Sequence, residues 1–200
     1  MLQASVAAAM LCAASAQATT IIDFDKATVE NGQLSHVVAA WVGNTYVEDG
    51  FQLQSSGWPI NELVVADLTY NAGSYSMGTT ALDTVTLTNA ASNPFSLNSI
   101  NLLRPLGVGN YKITFTGTKA DSSVVTQDFT FTNLTWNTVT FGANFSNLTS
   151  VTWSEGSPLP FGRVYVFDNI SVTAVPEPGT YAMLLAGLGL VGWARRRKQA

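Results

Sequence analysis

The sequence predicts an all-β protein with an antiparallel β-sandwich, and three observations support that class. Apolar and polar residues alternate with a period of two, as in Asp83–Thr88 and Tyr111–Thr116, which places successive side chains on opposite faces of a strand. Turn-forming residues separate such runs at short intervals. The central sequence lacks the 3.6-residue period of amphipathic crossover helices, which excludes a Rossmann or TIM-barrel architecture.

About ten strands are predicted in this way, and ten short strands with frequent turns are typical of a sandwich. Besides the two runs above, the predicted strands are Ile21–Asp25, Val37–Trp41, Tyr46–Leu53, Phe95–Leu103, Val124–Phe131, Val139–Phe141, Leu148–Trp153 and Arg163–Thr173. The predicted turns include Ser56-Gly57, Asn71–Gly73, Asn93-Pro94 and Ala120–Ser122. We expect a single domain over residues 19–174.

The first eighteen residues predict a helical secretory signal peptide. They are small and apolar and end in Ala16-Gln17-Ala18, a signal peptidase pattern that makes Thr19 the mature start. Cys12, the single cysteine, lies inside this stretch, and Leu11 before it does not fit a lipoprotein signal. The mature chain would therefore contain no thiol and form no disulfide.

The composition is that of an exported protein whose partner is not a nucleic acid. The chain is 46% hydrophobic and only 11% charged, against roughly 25% charged residues in ordinary soluble domains. Acidic residues outnumber basic ones in the central region. Nucleic-acid binding needs clustered Lys and Arg to neutralise phosphates, so this balance excludes it.

A different pattern occupies residues 175–200. Two prolines hold the residue between them in a short extended segment, and the uncharged stretch Gly179–Ala194 would span roughly 24 Å as a helix, close to the roughly 30 Å of a bilayer core. Basic side chains at the end can reach lipid headgroups and keep that end in the cytoplasm. The motif is Val175, Pro176, Glu177 and Pro178, and the basic stop is Arg195, Arg196, Arg197 and Lys198.

This tail resembles the PEP-CTERM sorting signal, in which a Pro-Glu-Pro signature, a short transmembrane helix and an Arg-rich end follow one another. The resemblance implies an exported protein of a Gram-negative-type bacterium that is processed by an exosortase, a membrane-bound sorting enzyme. It further implies anchoring in the inner membrane before processing, then delivery to the cell surface or an extracellular matrix, in association with exopolysaccharide and biofilm. A plain membrane anchor or a buried core helix is the alternative for the same residues.

A second resemblance lies at the end of the central region. The pattern consists of Phe141, Phe145 and Leu148–Trp153, followed by Tyr165–Val172. It is similar to the last strands of jelly-roll modules found in carbohydrate-binding domains and in many PEP-CTERM proteins, where a Phe-Asp-Asn-Ile strand closes the sandwich. The same residues are also explained if Phe167, Ile170 and Val172 are core residues and Asp168-Asn169 is a bulge or turn pair. Both interpretations lead to a jelly-roll-like sandwich, and neither establishes sugar binding.

The residues offer little support for catalysis, and we expect no catalytic residue. His36 is the only histidine and has no accompanying G-x-S-x-G elbow, and a metal cluster of His and Cys is impossible by count. Asp23 and Asp25, two apart on a predicted strand, would share a face, and a sandwich could bring the further acids in Glu48–Gly50 and Asp168 close to them. We expect these acids to be solvated at strand ends, with a structural calcium ion as the alternative and no other cofactor.

Aromatic residues could stack on sugar rings. Trp58 precedes Pro59 next to a glycine and is the best candidate for glycan contact, whereas Trp153 alternates with Val151 and is predicted to lie in the core. The resulting hypothesis is a non-catalytic, exported surface or matrix protein that contacts exopolysaccharide or another glycan. A glycan hydrolase or lyase that uses acidic residues, and a purely structural matrix protein, are the alternatives.

Overall fold

A computed structural model of the 200-residue chain describes residues 18–29, 32–33, 40–57, 63–66, 75–80, 83–104, 110–131, 135–155, 164–175 and 187–189. These ranges contain fifteen strands and one 3-10 turn at Ala143–Phe145. The strands are β1 Thr19–Ile22, β2 Thr28–Val29, β3 Gly32–Gln33, β4 Ala40–Gly43, β5 Thr45–Glu48, β6 Phe51–Ser56, β7 Leu63–Ala66, β8 Ser76–Thr80, β9 Thr84–Asn89, β10 Phe95–Leu103, β11 Tyr111–Lys119, β12 Val124–Phe131, β13 Asn137–Thr140, β14 Leu148–Ser154 and β15 Val164–Ala174.

Thirteen of these strands form two antiparallel layers. The first layer has the order β4-β7-β8-β15-β10-β13, with β1 continuing alongside β15 beyond the end of β8. The second layer has the order β12-β11-β14-β9-β6-β5. The layers are connected where Phe95 of β10 lies opposite Leu148 of β14. This arrangement confirms the predicted all-β antiparallel fold.

The two layers pack face to face through aromatic side chains. The rings of Phe51 and Phe95 meet nearly at right angles with centroids 5.4 Å apart, and those of Trp153 and Phe167 do so at 5.3 Å. Perpendicular ring contacts at this separation are favourable beyond the area they bury. Trp153 is 1% exposed, so its predicted place in the core is confirmed.

The predicted strand Tyr46–Leu53 is wrong, because the chain reverses in its middle. Asp49 and Gly50 have φ angles of 46° and 81° and join β5 to β6 as a hairpin in which Glu48 pairs with Phe51. Two consecutive positive φ angles are those of a type I′ turn, for which Asp-Gly is a favoured sequence. The alternation of apolar residues hides this turn because it continues on both sides of it.

The predicted strand Ile21–Asp25 is too long. β1 ends at Ile22, and Phe24 has a φ of 61°, while the Asp23 carboxylate accepts a hydrogen bond from the backbone of Asp25. Such a local bond favours a turn over a strand. Asp23 and Asp25 therefore do not share a strand face, contrary to the prediction.

The last strand carries a bulge that keeps its apolar residues in the core. Asp168 pairs with Asn101 and Ser171 with Ser99, so two residues of β15 lie opposite one residue of β10. Asn169 accommodates the insertion with a φ of 50°, which asparagine tolerates better than most residues. Phe167, Ile170 and Val172 are each 0% exposed. The interpretation of Phe167, Ile170 and Val172 as core residues and Asp168-Asn169 as a bulge is confirmed.

The predicted terminal helices lie mostly beyond the described residues. Residues 187–189 are helical, whereas 1–17, 176–186 and 190–200 are not described. Among the described segments, none forms a helix that is both long and apolar enough to cross a membrane. The signal peptide and the transmembrane helix remain predictions.

Gly117 of β11 tests how tightly the core side of the second layer is packed. A methyl group there would lie 2.8 Å from Cδ2 of Leu148 and 3.0 Å from Cγ1 of Val125. We expect Gly117→Ala to lower the free energy of unfolding by about 1–3 kcal/mol through overpacking, measured by urea denaturation of the detergent-solubilised full chain. Thr130→Ala, on the exposed face of β12, should change it by less than about 0.5 kcal/mol. Equal stability of the two variants would contradict this account of the core.

Candidate functional site

The outer face of the second layer is largely polar, with exposed Val47 and Val124 at its two edges. Along β9, Val85 and Leu87 point inward and are fully buried, whereas the threonines between them point outward. The same alternation holds in β6, β11 and β14. We call this surface the threonine face, and it consists of Gln52, Gln54, Thr84, Thr86, Thr88, Thr114, Thr116, Thr118, Thr126, Thr130, Ser150 and Thr152.

The strand register places these side chains in rows that cross the sheet. One row consists of Gln54, Thr86, Thr152, Thr116 and Thr126, each opposite the next. Neighbouring members of a row lie about 4.8 Å apart, the spacing of hydrogen-bonded strands. A parallel row, one side-chain repeat along the strands, consists of Gln52, Thr88, Ser150, Thr118 and Val124.

An open groove lies at one end of the threonine face. It has a volume of about 380 Å³ and is lined by Gln52, Thr88, Asn89, Ala90, Ser92 and Thr149. Thr149 is the extra residue where β14 shifts register against β11, and the turn after β9 supplies the remaining wall. The volume falls within the range of small-molecule sites, and amide and hydroxyl groups can both donate and accept hydrogen bonds there.

Opposite charges offset each other on the threonine face. Lys112 Nζ lies 2.7 Å from Asp128 Oδ2, and the Thr114 hydroxyl donates to Asp128 Oδ1 at 2.7 Å. The hydrogen bond from Lys112, and to a smaller extent the one from Thr114, lowers the pKa of Asp128. The pair is exposed, so its contribution to the stability of the fold is small. A neutral ligand fits this surface better than a charged one.

The acidic residues expected to be solvated at strand ends are in part buried, so that expectation is wrong for Glu48 and Asp168. The Glu48 side chain is 0% exposed, and its Oε2 accepts hydrogen bonds from the Phe24 amide at 3.0 Å and the Tyr46 hydroxyl at 3.1 Å. Asp168 is also 0% exposed and accepts hydrogen bonds from the backbone and side-chain amides of Asn169. Both carboxylates hold turns in place.

Lys26 supplies the positive charge beside Glu48. Its Nζ lies 2.6 Å from Asp49 Oδ1 and 3.8 Å from Glu48 Oε1, which ties the turn after β1 to the β5–β6 hairpin. Burial nevertheless raises the pKa of Glu48, against the opposing effects of its hydrogen bonds and of Lys26. Within the described ranges, no set of three or more Asp, Glu, His and Cys side chains is placed to hold a metal ion.

Several predicted site residues lie outside the described part of the chain. They are Trp58, His36, Pro176, Glu177, Pro178 and the basic stop Arg195–Lys198, whose roles stay predictions. Val175 is described, and its amide donates to the Pro94 carbonyl at 2.9 Å. The sheet is thus hydrogen-bonded up to the first residue of the Pro-Glu-Pro segment.

Sequence reasoning assigned no binding role to the threonine face, although a signal for it was present. The repeats Thr84-x-Thr86-x-Thr88 and Thr114-x-Thr116-x-Thr118 were interpreted only as strand patterns. Residues two apart share a face, so each repeat already predicts a line of hydroxyl groups. Neither repeat predicts the register between strands, which is what places the hydroxyl groups of neighbouring strands side by side in rows.

Comparison with known proteins identifies the tail. Residues 174–198 match the family described as the PEP-CTERM protein-sorting motif, so the chain carries that motif, as the sequence predicted. This motif implies an exported protein that is processed by an exosortase. A comparison with curated proteins found no matching sequence.

Similar solved structures are carbohydrate-binding modules with low sequence identity. They include the CBM22-1–CBM22-2 tandem domain of Paenibacillus barcinonensis Xyn10C, with 15% identity, a TM-score of 0.43 and coverage of 84% of this chain and 50% of that one. The CBM22-1 xylan-binding domain of the same protein has 12% identity, a TM-score of 0.42 and coverage of 82% and 99%. A family 30 carbohydrate-binding module has 14% identity, a TM-score of 0.42 and coverage of 71% and 90%. The chain spans about half the length of the tandem-domain structure.

The raised pKa of Glu48 predicts a particular pH dependence of stability. The folded state holds the proton on Glu48 more tightly than the unfolded state, so stability falls as the pH rises through this titration, from about pH 4.5 upward. In Glu48→Gln this contribution is absent, and the variant should lose less stability than the parent between about pH 4.5 and about pH 7.5. Urea denaturation of the full chain at both pH values measures the difference.

Asp128→Asn provides a matched comparison of opposite sign. The pKa of Asp128 is lowered, so this carboxylate stabilises the folded state at neutral pH and that contribution is lost as the pH falls through its titration. The free energy of unfolding of Asp128→Asn should therefore fall less than that of the parent as the pH is lowered into the acid range. Identical slopes for the parent and Glu48→Gln would show that Glu48 titrates as it does in the unfolded chain.

Proposed function

We propose that this is an exported, PEP-CTERM-sorted protein whose non-catalytic β-sandwich contacts glycan at the cell surface or in an extracellular matrix. The observation that carries the proposal is the position of the sorting motif. It begins at residue 174, the last residue of β15, so no separate linker stands between the sandwich and the tail. The sandwich is therefore the cargo that the sorting tail delivers.

The threonine face supports glycan contact. Polysaccharides present closely spaced hydroxyl groups, and the rows of Thr, Ser and Gln present matching donors and acceptors at about 4.8 Å. The groove bounded by Gln52, Thr88 and Thr149 gives this surface a concave end. Stacking on Trp58 would add an apolar platform and remains part of the proposal.

The environments of Glu48, Asp121 and Asp128 do not support general acid catalysis. A glycosidase needs a carboxyl group of raised pKa that reaches the substrate, and Glu48 has the raised pKa but its side chain is fully buried. The exposed Asp121 and Asp128 have lowered pKa values, which suits neither as a proton donor at neutral pH. The hydrolase or lyase alternative thus gains no support from these groups, while a purely structural matrix role stays as the rival.

Glycan binding should depend on the groove at the end of the threonine face. The double change Gln52→Ala with Thr88→Val removes an amide and a hydroxyl from its wall, and two lost hydrogen bonds should weaken binding about tenfold. Binding of the detergent-solubilised full chain to exopolysaccharide from the source bacterium, together with a glycan array, measures this effect.

Thr140→Val is the matched control, because Thr140 is exposed on β13 of the first layer. It should leave binding unchanged. If the parent retains no glycan in either assay, the structural alternative replaces glycan contact. If the groove variant binds as well as the parent, the binding site lies elsewhere on the molecule.

Processing of the tail should depend on Glu177. If an exosortase recognises the Pro-Glu-Pro segment through the Glu177 carboxylate, Glu177→Gln removes a charge-assisted hydrogen bond and leaves the group on the enzyme that bound the carboxylate without its charged partner. We expect the variant, and likewise Pro178→Ala, to accumulate at full length while the parent is shortened near this motif. Mass measurement of proteins recovered from a host with the sorting enzyme decides, with Asp121→Asn as a carboxylate control. Equal masses that retain Arg195–Lys198 would reduce the tail to a simple anchor.

A further inference from the structure

β12 forms an open edge of the second layer. It pairs with β11 along its whole length, from Val124 opposite Thr118 to Phe131 opposite Tyr111, without a register shift. In the described part of the chain no strand pairs with its other side. Val124 is 62% exposed, and the outward-facing residues that follow it at every second position are exposed as well.

Natural sheets usually protect such an edge by keeping it short, by a bulge, or by Pro or Lys. The segment Val124–Phe131 reads VVTQDFTF and contains none of these, and Asp128 is its single charge. The other described edge strands, β4, β5 and β13, have four residues each, against eight in β12. β12 is therefore long, regular and unprotected.

We infer that β12 pairs antiparallel with β12 of a second copy of this chain around a two-fold axis. The pairing extends the second layer from the six strands of one copy to twelve and adds backbone hydrogen bonds between the two edges. An interface around a two-fold axis uses the same surface on both copies and closes on itself. The inference is independent of the proposed glycan contact.

The length and the side-chain pattern of β12 together select one register, because only an axis at one of its two central residues, Gln127 or Asp128, pairs the strand along nearly its whole length. Residues directly opposite each other in an antiparallel pair must point to the same face. The two-fold axis therefore places one residue of β12 directly opposite the same residue of the second copy. It does not lie level with the midpoint between two consecutive residues. An axis at Asp128 would place two like charges opposite each other, which is destabilising. An axis at Gln127 avoids this and pairs Thr126 with Asp128 of the second copy.

The same register joins the apolar residues of the edge. Val125 and Phe129 are half-buried and pack at the margin of the core, and an axis at Gln127 places each opposite the other from the second copy. Gln127 Nε2 donates to the Thr140 carbonyl at 3.1 Å, which fixes the middle of β12 to β13. The edge is thus held extended before a second copy arrives.

Charge substitutions at Thr126 test the pairing through opposite signs. Thr126→Asp places a carboxylate opposite Asp128 of the second copy twice per dimer, and Thr126→Lys places an ammonium there. We expect the dimer dissociation constant to rise about fivefold in the first variant and to fall about fivefold in the second. Sedimentation velocity of the detergent-solubilised full chain over a concentration series measures both.

The same two changes at Thr45, which is exposed on β5 at the opposite edge of the second layer, are the controls and should leave the dissociation constant unchanged. Association through the tail would be insensitive to all four substitutions. A parent that stays monomeric, or Thr126 variants that shift the constant in the same direction, would overturn the inference.

Cysteine pairs test the register itself. With Cys12→Ser as background, Thr126→Cys and Asp128→Cys coexpressed in one cell should form a disulfide-linked dimer on oxidation, because these positions face each other across the axis. Each variant alone should remain uncrosslinked, since its two copies lie diagonally, at about 7–8 Å. Crosslinking of Asp128→Cys alone would place the axis at Asp128 and overturn the register.

Discussion

The fold depends on the contact between the last strand and the strands of the facing layer. Phe167 of β15 packs at right angles against Trp153 of β14 and also meets the ring of Phe24. β15 is at the same time hydrogen-bonded to β1, β8 and β10. β15 is therefore both a central hydrogen-bonded strand of the first layer and a main contact of that layer with the second. The bulge at Asn169 allows both roles. The extra residue shifts the alternation of the strand by one position, so that Ile170 points into the core as Phe167 does.

The buried polar groups lie beside this core and shape its turns. Glu48 joins the turn at Phe24 to Tyr46 through two hydrogen bonds, and Asp168 holds the bulge through Asn169. A buried carboxylate is costly unless it is hydrogen-bonded. The hydrogen bonds of Glu48 and Asp168 stabilise the local backbone conformation, and they replace the hydration that each carboxylate loses on burial. Burial keeps both carboxylates from contact with a substrate, whereas the hydroxyl groups of the threonine face reach solvent.

The sequence allowed the strand class and some strand boundaries to be predicted closely. β10 and β12 begin and end where the alternating pattern does, because each has one clearly apolar face. The hairpin at Asp49-Gly50 was missed since the alternation runs through it, and β8 was missed because Ser76–Thr80 lacks a run of β-branched residues and is defined by its pairing with β15. The burial of Glu48 and Asp168 depends on which turns meet in space, which no local pattern encodes. The PEP-CTERM tail was recognised because its three parts are contiguous, whereas the threonine face is assembled from distant segments.

The pairing of β1 with β15 has a consequence for how the protein is made. Thr19 lies opposite Thr173, so the first strand of the sandwich finds its partner 154 residues later, counting from 19 to 173. Contacts of such long sequence separation form late and slow folding. A chain that enters a secretion channel from its N-terminus can then complete this layer only after β15 has emerged on the far side. Late closure of this layer keeps the chain unfolded enough to pass through the channel until translocation is nearly finished.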